Sequence, residues 1–160
     1  MSAPALTDVP ATVVDAIASV PDPEYPGVSI VELGLVEGVS VAESAGGLDV
    51  AIDLIPTFSG CPALAMIADD VRTAVAAVSD VATCEVRWLT APVWSTDRIS
   101  PSARAALRDE FTVVLRRKDG RLRCPVCGSD AVEDQALAGP TRCRSVAWCG
   151  SCRNVVEVMR

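Results

Sequence analysis

"LDVAIDLIPTFSGCPALAMIADDVRTAVAAV", residues 48–78, decides the fold. At its start Leu48, Val50, Ile52 and Leu54 alternate with Asp49, Ala51, Asp53 and Ile55, the period of two expected of a strand with one buried face. From Leu64 the period changes. Leu64, Ile67, Ala68, Val71, Ala74, Val75 and Val78 fall on one stripe of a helix, and Pro62 suits its first position. Cys61 therefore falls at the mouth of that helix. Unsatisfied N–H groups and the positive end of the helix dipole favour a thiolate there and lower its pKa, although a small buried hydrophobe is the other reading of a single cysteine.

Outward from this passage the same reasoning gives the rest of the body. Val9, Val13, Ile17 and Val20 have helical spacing, with Thr7 or Asp8 as the cap. The prolines of "PDPEYPGVS" stop that helix, "ELGLVEGVSV" leads into a strand around 36–43, and "GG" at 46–47 turns the chain. "VATCEVRWL" directs Ala82, Cys84, Val86 and Trp88 toward the core, which makes Cys84 a packing residue. "APVW" at 91–94 reads as a loop, and Ser100 caps a short helix that begins at Pro101 and carries Ala103, Leu107 and Phe111. Helix, strand, strand, helix, strand, helix is an α/β (α+β) arrangement: a compact mixed-sheet domain over residues 1–110 with helices packed on it.

Residues 111–160 read as a separate, small metal-binding ribbon. "FTVVLRRKDGRLRCPVCGS" suggests strand, turn and strand, with the turn at "DG", 119–120. Cys124 and Cys127, then Cys149 and Cys152, form C-x2-C-x21-C-x2-C, the spacing of a four-cysteine zinc ribbon, with structural zinc as the first reading and a site that carries or exchanges iron as the second. Two thioredoxin-like pairs would each need a βαβ setting that the sequence lacks. So small a unit has little core, and bound metal would contribute much of its folding free energy. Cys143, flanked by Arg142 and Arg144, is a fifth thiol; its spacing leaves open packing, transient ligation or service as an additional ligand.

Charge and composition exclude several functions. The net charge is −7, with 5 basic and 16 acidic side chains in residues 1–115 and 9 basic and 5 acidic in residues 116–160. This imbalance and a single lysine, Lys118, argue against nonspecific nucleic-acid binding. The absence of histidine removes Ser-His-Asp and Cys-His catalysis, and there is no G-x-x-x-x-G-K-[ST] phosphate loop. The first twenty residues show neither a basic flank nor an unbroken apolar run, so the expectation is a cytoplasmic chain with no signal peptide and no membrane span, whose seven cysteines serve metals or chemistry.

Three stretches carry a resemblance to a known family. "DPEYPGVSIVELGLV" at 22–36, "PTFSGCPA" at 56–63 and "APVWSTDRISPSAR" at 91–104 resemble segments of the SufT/PaaD-like iron–sulfur assembly proteins, and the four-cysteine tail is similar to the PaaD branch. "LAGPTRC" and "NVVEV" depart from that branch's usual tail. The resemblance implies that Cys61 is the functional thiol for cluster transfer, that Asp22, Glu24, Thr57, Ser59 and Gly60 are its supporting loop residues, and that Cys124, Cys127, Cys149 and Cys152 are ribbon ligands. It implies for Cys143 a branch feature without an assigned role. It further implies a non-enzymatic maturation factor with a structural zinc and a transient iron or iron–sulfur cluster. Its expected partners are components of the phenylacetyl-CoA ring 1,2-epoxidase, a multicomponent monooxygenase, or their iron–sulfur reductase, together with iron–sulfur carrier proteins and a second copy in a homodimer. Since two- and four-iron clusters take four protein ligands, Cys61 alone is too few for a stable one. The competing classes are a zinc-ribbon adaptor for protein or nucleic acid and a thiol redox protein using Cys61 with Cys143 or the C-x2-C pairs.

Overall fold

The computed structural model describes residues 9–159. Contacts divide the chain into two compact units, Met1–Trp94 and Ser95–Arg160.

The first unit is a mixed sheet covered by helices. Helix α1, Ala11–Ala18, buries Val13 and Ile17; Pro10 occupies its cap position with no side-chain bond, and the expected caps Thr7 and Asp8 lie outside the described residues. The proline-rich break that follows contains a small antiparallel ladder of β1, Pro21–Asp22, and β2, Tyr25–Ser29. Tyr25 and Val28 bury their side chains from it. The main sheet consists of β3, Val36–Ser44, β4, Gly47–Leu54, and β5, Val81–Trp88, in the order β3-β4-β5. β3 is antiparallel to β4 and β5 is parallel to it. Parallel neighbours need a crossover, and α2, Leu64–Ala76, is that crossover; it packs on β5 and on α1.

The two faces of β4 meet different surroundings. Val50, Ile52 and Leu54 are buried, while on the opposite face Thr83 Oγ1 donates to Asp49 Oδ1 at 2.7 Å and Arg87 Nε donates to Asp53 Oδ1 at 2.8 Å. Core on one side and solvent-facing cross-strand pairs on the other account for the alternation in the sequence. Along β5 the expected inward set needs one correction. Leu48 pairs with Val81 and Asp49 with Thr83, so Ala82 is an extra, bulged residue and is exposed. Cys84, Val86 and Trp88 keep their alternation and are half-buried.

α2 buries Ile67, Ala68, Val71 and Val75, as its stripe requires, but it starts two residues later than Pro62 suggests. The reason is a pair of turns: Cys61 N–H donates to Phe58 O at 3.1 Å, and Cys61 O accepts from Leu64 N–H at 3.4 Å. The first helical bond is from Ile67 N–H to Ala63 O, so Pro62 sits in the turn before the helix.

The second unit opens with a short 3₁₀ turn, Thr96–Arg98, and α3, Pro101–Asp109. Ser100 Oγ caps α3 by accepting from Ala103 N–H at 3.1 Å, and Ala103 and Leu107 are buried; Phe111 lies beyond the helix. Four strands follow: β6, Val113–Leu115, β7, Val132–Ala136, β8, Arg144–Cys149, and β9, Val155–Met159. Their order is β6-β9-β8-β7, with β6 parallel to β9 and the other pairs antiparallel. The turn at 119–120 is present, held by Gly120 N–H to Arg117 O at 2.9 Å, but the strand expected after it is not. Cys124 N–H donates to Ser129 O at 2.8 Å, which folds the segment into a knuckle and leaves β9 as the neighbour of β6. Among the described residues no helix is long and apolar enough to cross a membrane.

Gly47 begins β4 with φ +129°, and a Cβ there would lie 2.6 Å from Asp80 O, the oxygen that accepts from Leu48 N–H at 2.7 Å. Gly47→Ala should therefore destabilise the first unit by about 2 kcal/mol or more, read as a lower urea midpoint with an unchanged m value.

Candidate metal centre and thiol loop

The sulfurs of Cys124, Cys127, Cys149 and Cys152 all lie within 4.8 Å of one another. Cys124 Sγ is 3.6 Å from Cys152 Sγ, and Cys127 Sγ is 3.6 Å from Cys149 Sγ. A tetrahedral ion with metal–sulfur bonds of ~2.3 Å requires sulfur separations of roughly 3.8 Å, so the set is close to the arrangement zinc requires. No disulfide links any of the seven cysteines.

Local backbone geometry explains why these four meet. Gly128 N–H donates to Cys124 O at 3.0 Å, and Arg153 N–H donates to Cys149 O at 2.8 Å. Gly128 has φ +74° and Arg153 has φ +61°, so each C-x2-C segment ends on a residue in the left-handed region, which turns both sulfurs to one point. Glycine takes that conformation freely, whereas an arginine there costs about 1 kcal/mol, so Arg153 is held by its surroundings. Ser129 Oγ and Ser151 Oγ, 2.8 Å apart, join the knuckles. Beneath them Cys124 and Cys149 form one core with Val114, Leu122, Ala147, Val156 and Val158.

The four thiols differ electrostatically. At Cys127 a backbone hydrogen bond with Ser129 pulls the pKa down, but desolvation and the thiols of Cys152, Cys149 and Cys124 outweigh it and push the value up to about 12. At Cys152 the side-chain and backbone N–H groups of Asn154 bring it down to about 6; Asn154 Nδ2 lies 3.4 Å from the sulfur. Within the set, Cys152 thus favours the thiolate before metal arrives, while Cys127 favours the thiol and gives up a proton to ligate.

Cys143 stands apart from this group. It is buried, with its sulfur 3.2 Å from Thr141 Oγ1, and it immediately precedes β8, which ends on Cys149. Period two puts both cysteines on the inner face of that strand, but at ~3.4 Å per residue their backbones are separated by roughly 17–20 Å. A fifth ligand from Cys143 would require β8 to unravel.

In the first unit Cys61 lies on the turn between β4 and α2, half-buried, at the carboxyl end of β4. The neighbouring Thr57 is half-buried and Ser59 and Gly60 are exposed; a Cβ on Gly60 would meet the Phe58 ring at 2.8 Å, so the glycine admits that ring. Trp88, paired with Leu54 across the parallel strands, donates from Nε1 to Leu64 O at 3.2 Å and ties the first turn of α2 to the end of β5. Trp94 Nε1 donates to Leu33 O at 2.9 Å. The alternation of β5 marks Trp88 as inward-facing; only the polar end of a half-buried indole signals a tether as well. Asp22 is nearly buried and accepts from Glu24 N–H at 2.8 Å, so its carboxylate braces its own turn, with Glu24 half-buried. At Cys84, on the adjacent strand, burial raises the thiol pKa and Arg72 partly offsets it, which suits packing.

Comparison with known proteins resolves the chain into two matched parts. Residues 10–88 match the family described as iron-sulfur cluster assembly protein, and residues 108–160 match the PaaD zinc beta ribbon domain. An Escherichia coli K12 protein named as a component of 1,2-phenylacetyl-CoA epoxidase is 31% identical over 151 residues, covering 90% of this chain and 88% of that one. The Fe-S protein maturation auxiliary factor YitW of Bacillus subtilis is 39% identical over 59% of this chain and 89% of its own. SufT of Staphylococcus aureus, with the same auxiliary-factor description, is 36% identical over 54% and 93%. A solved domain of unknown function from Bacillus anthracis aligns at TM-score 0.53 and 33% identity, covering 61% of this chain and 90% of that one. A conserved hypothetical protein from Thermotoga maritima aligns at TM-score 0.50 and 29% identity, covering 65% and 95%.

Zinc binding should carry the mark of Cys127. Its raised pKa means that ligation releases its proton, so affinity rises by about tenfold per pH unit on its account between pH 7 and 8, while Cys152, already ionised, adds nothing above its own pKa. Competitive chelator titration across that range should give at least this dependence, and Cys143→Ser should leave the zinc stoichiometry unchanged.

Proposed function

Because the chain belongs to the PaaD/SufT-like family of iron–sulfur cluster assembly proteins, as a non-catalytic auxiliary factor, we propose that it delivers iron or an iron–sulfur cluster to a client through the thiol of Cys61. The observation that carries this reading is the placement of Cys61: a half-buried thiol on a turn at the carboxyl end of β4, within the segment that matches the assembly family. Ligand sites of open α/β sheets favour that end of the strands, where loops rather than core side chains meet the surroundings. Thr57, Ser59 and Gly60 shape the turn, and Asp22 and Glu24 belong to the loop that supports it.

A single thiol does not hold a cluster. Such clusters need about four protein ligands, so the bound state is transient or is completed by a second copy of the chain, an iron–sulfur carrier protein or a small thiol. In this reading residues 1–110 handle the cluster, and residues 111–160 hold a structural zinc and present a docking surface. The client is the phenylacetyl-CoA ring 1,2-epoxidase or its iron–sulfur reductase, and the setting is the cytoplasm. Support for that client comes from the Escherichia coli relative, which aligns over nearly the whole chain, and from the PaaD-type ribbon that the tail matches.

The deciding experiment matures the epoxidase components with wild-type, Cys61→Ser or Cys143→Ser protein and measures client iron, client turnover and zinc in the factor. Cys61→Ser should lower client iron by about tenfold or more while zinc stays bound, as expected when a metal ligand is removed. Full client loading by Cys61→Ser would eliminate the role given to this thiol. Normal iron in the epoxidase components without any factor would eliminate the client.

A further inference from the structure

Four arginines line one open cleft inside the second unit. Arg104 and Arg108 project from α3, and Arg117 and Arg123 come from the segment between β6 and the first knuckle. The cleft has a volume of about 360 Å³, its floor includes Val113 and Val114, and none of its lining residues is acidic. The unit as a whole carries 12 basic and 8 acidic side chains, so four cations facing one space is a local concentration beyond its average.

Two of the four are fixed by main-chain oxygens. Arg104 donates from Nε to Ile99 O at 3.0 Å and from Nη2 to Thr96 O, and Arg123 donates from Nε to Gly128 O at 2.8 Å. Carbonyl partners orient a guanidinium without neutralising it, so both retain charge and free N–H groups. Arg108 is held by Asp109 in an exposed two-point pair, donating from Nε to Oδ1 at 2.6 Å and from Nη2 to Oδ2 at 2.8 Å, which leaves its Nη1 for a ligand. Arg117 is exposed and makes no ion pair among the described residues. Fixed guanidinium forks beside the exposed one of Arg117 are suited to oxyanions that accept several hydrogen bonds at once.

We propose that this cleft is a binding site for a small phosphate-bearing ligand, gripped by Arg104, Arg108, Arg117 and Arg123 over the apolar floor of β6. Its size selects that class. Small-ligand sites run from roughly 300 to 1,000 Å³, whereas a stable protein partner covers about 800 Å² of each surface. Cys124, one of the four candidate metal ligands, borders the cleft, but the contacts to the anion come from the arginines, and the site stands whether or not the cluster-transfer reading holds.

Isothermal titration of the zinc-loaded full chain with inorganic pyrophosphate at low salt tests it. One saturable site per chain is expected. Arg117→Gln and Arg108→Gln should each weaken it by about tenfold, as loss of one charge-assisted contact predicts. Arg121→Gln, an exposed arginine outside the cleft lining, removes the same charge and should change affinity less than about twofold. Zinc content and circular dichroism of each variant establish that it is folded. Absence of saturable binding, or equal weakening by Arg121→Gln, would overturn the proposal. So would saturable binding of a hexaglutamate peptide with none of pyrophosphate, which would assign the cleft to an acidic protein segment.

Discussion

Parallel pairing of β4 with β5 is the constraint on which the first unit depends. Two parallel neighbours cannot be joined by a tight turn, so the chain must leave the carboxyl end of β4, cross the sheet and return, and α2 is the shortest regular way to do so. The crossover places residues 56–63 outside the strand ends, where Cys61 is held by local turns through its N–H to Phe58 O and its carbonyl to Leu64 N–H. Cys61 owes its partial exposure to this topology. Trp88 then closes the arrangement, because the register that pairs it with Leu54 also brings its indole N–H to Leu64 O.

The second unit has a different foundation. Its core is small and two of its members, Cys124 and Cys149, belong to the four-cysteine set that fits a metal, so hydrophobic packing and the metal site share the same side chains. Such an arrangement couples folding to metal more tightly than a site hung on a finished core would. The knuckles are alike in backbone though not in sequence: Gly128 and Arg153 occupy the same left-handed position. The thiols within the site differ because Asn154 favours the thiolate of Cys152, while desolvation and the three other sulfurs favour the thiol of Cys127.

Membership in an assembly family and a cleft lined by arginines concern different parts of the chain and different chemistry. In the proposed function the thiol loop handles a soft metal cargo, for which one accessible sulfur and reversible binding matter more than affinity. The ligand proposed for the cleft is a hard oxyanion, for which oriented guanidinium groups matter most. The acidic first unit and the basic second unit carry the charge that each of these tasks tolerates.

By itself the sequence determined the elements and the metal ligands. Alternation at Val50, Ile52 and Leu54, the stripe through Ile67, Val71 and Val75, the Ser100 cap and the paired C-x2-C spacing are all local patterns, and local patterns are legible because side-chain periodicity and turn chemistry act over a few residues. Tertiary structure decided what depends on distant partners. It set the bulge at Ala82, the late start of α2, the parallel partnership of β6 with β9, and the left-handed turn at Arg153. It also separated Cys143 from the metal ligands by the length of β8, and gathered four arginines spread over residues 104–123 into one cleft. The physical reason is the same throughout: strand register and close packing are settled between segments far apart in the chain, and no single segment carries that information.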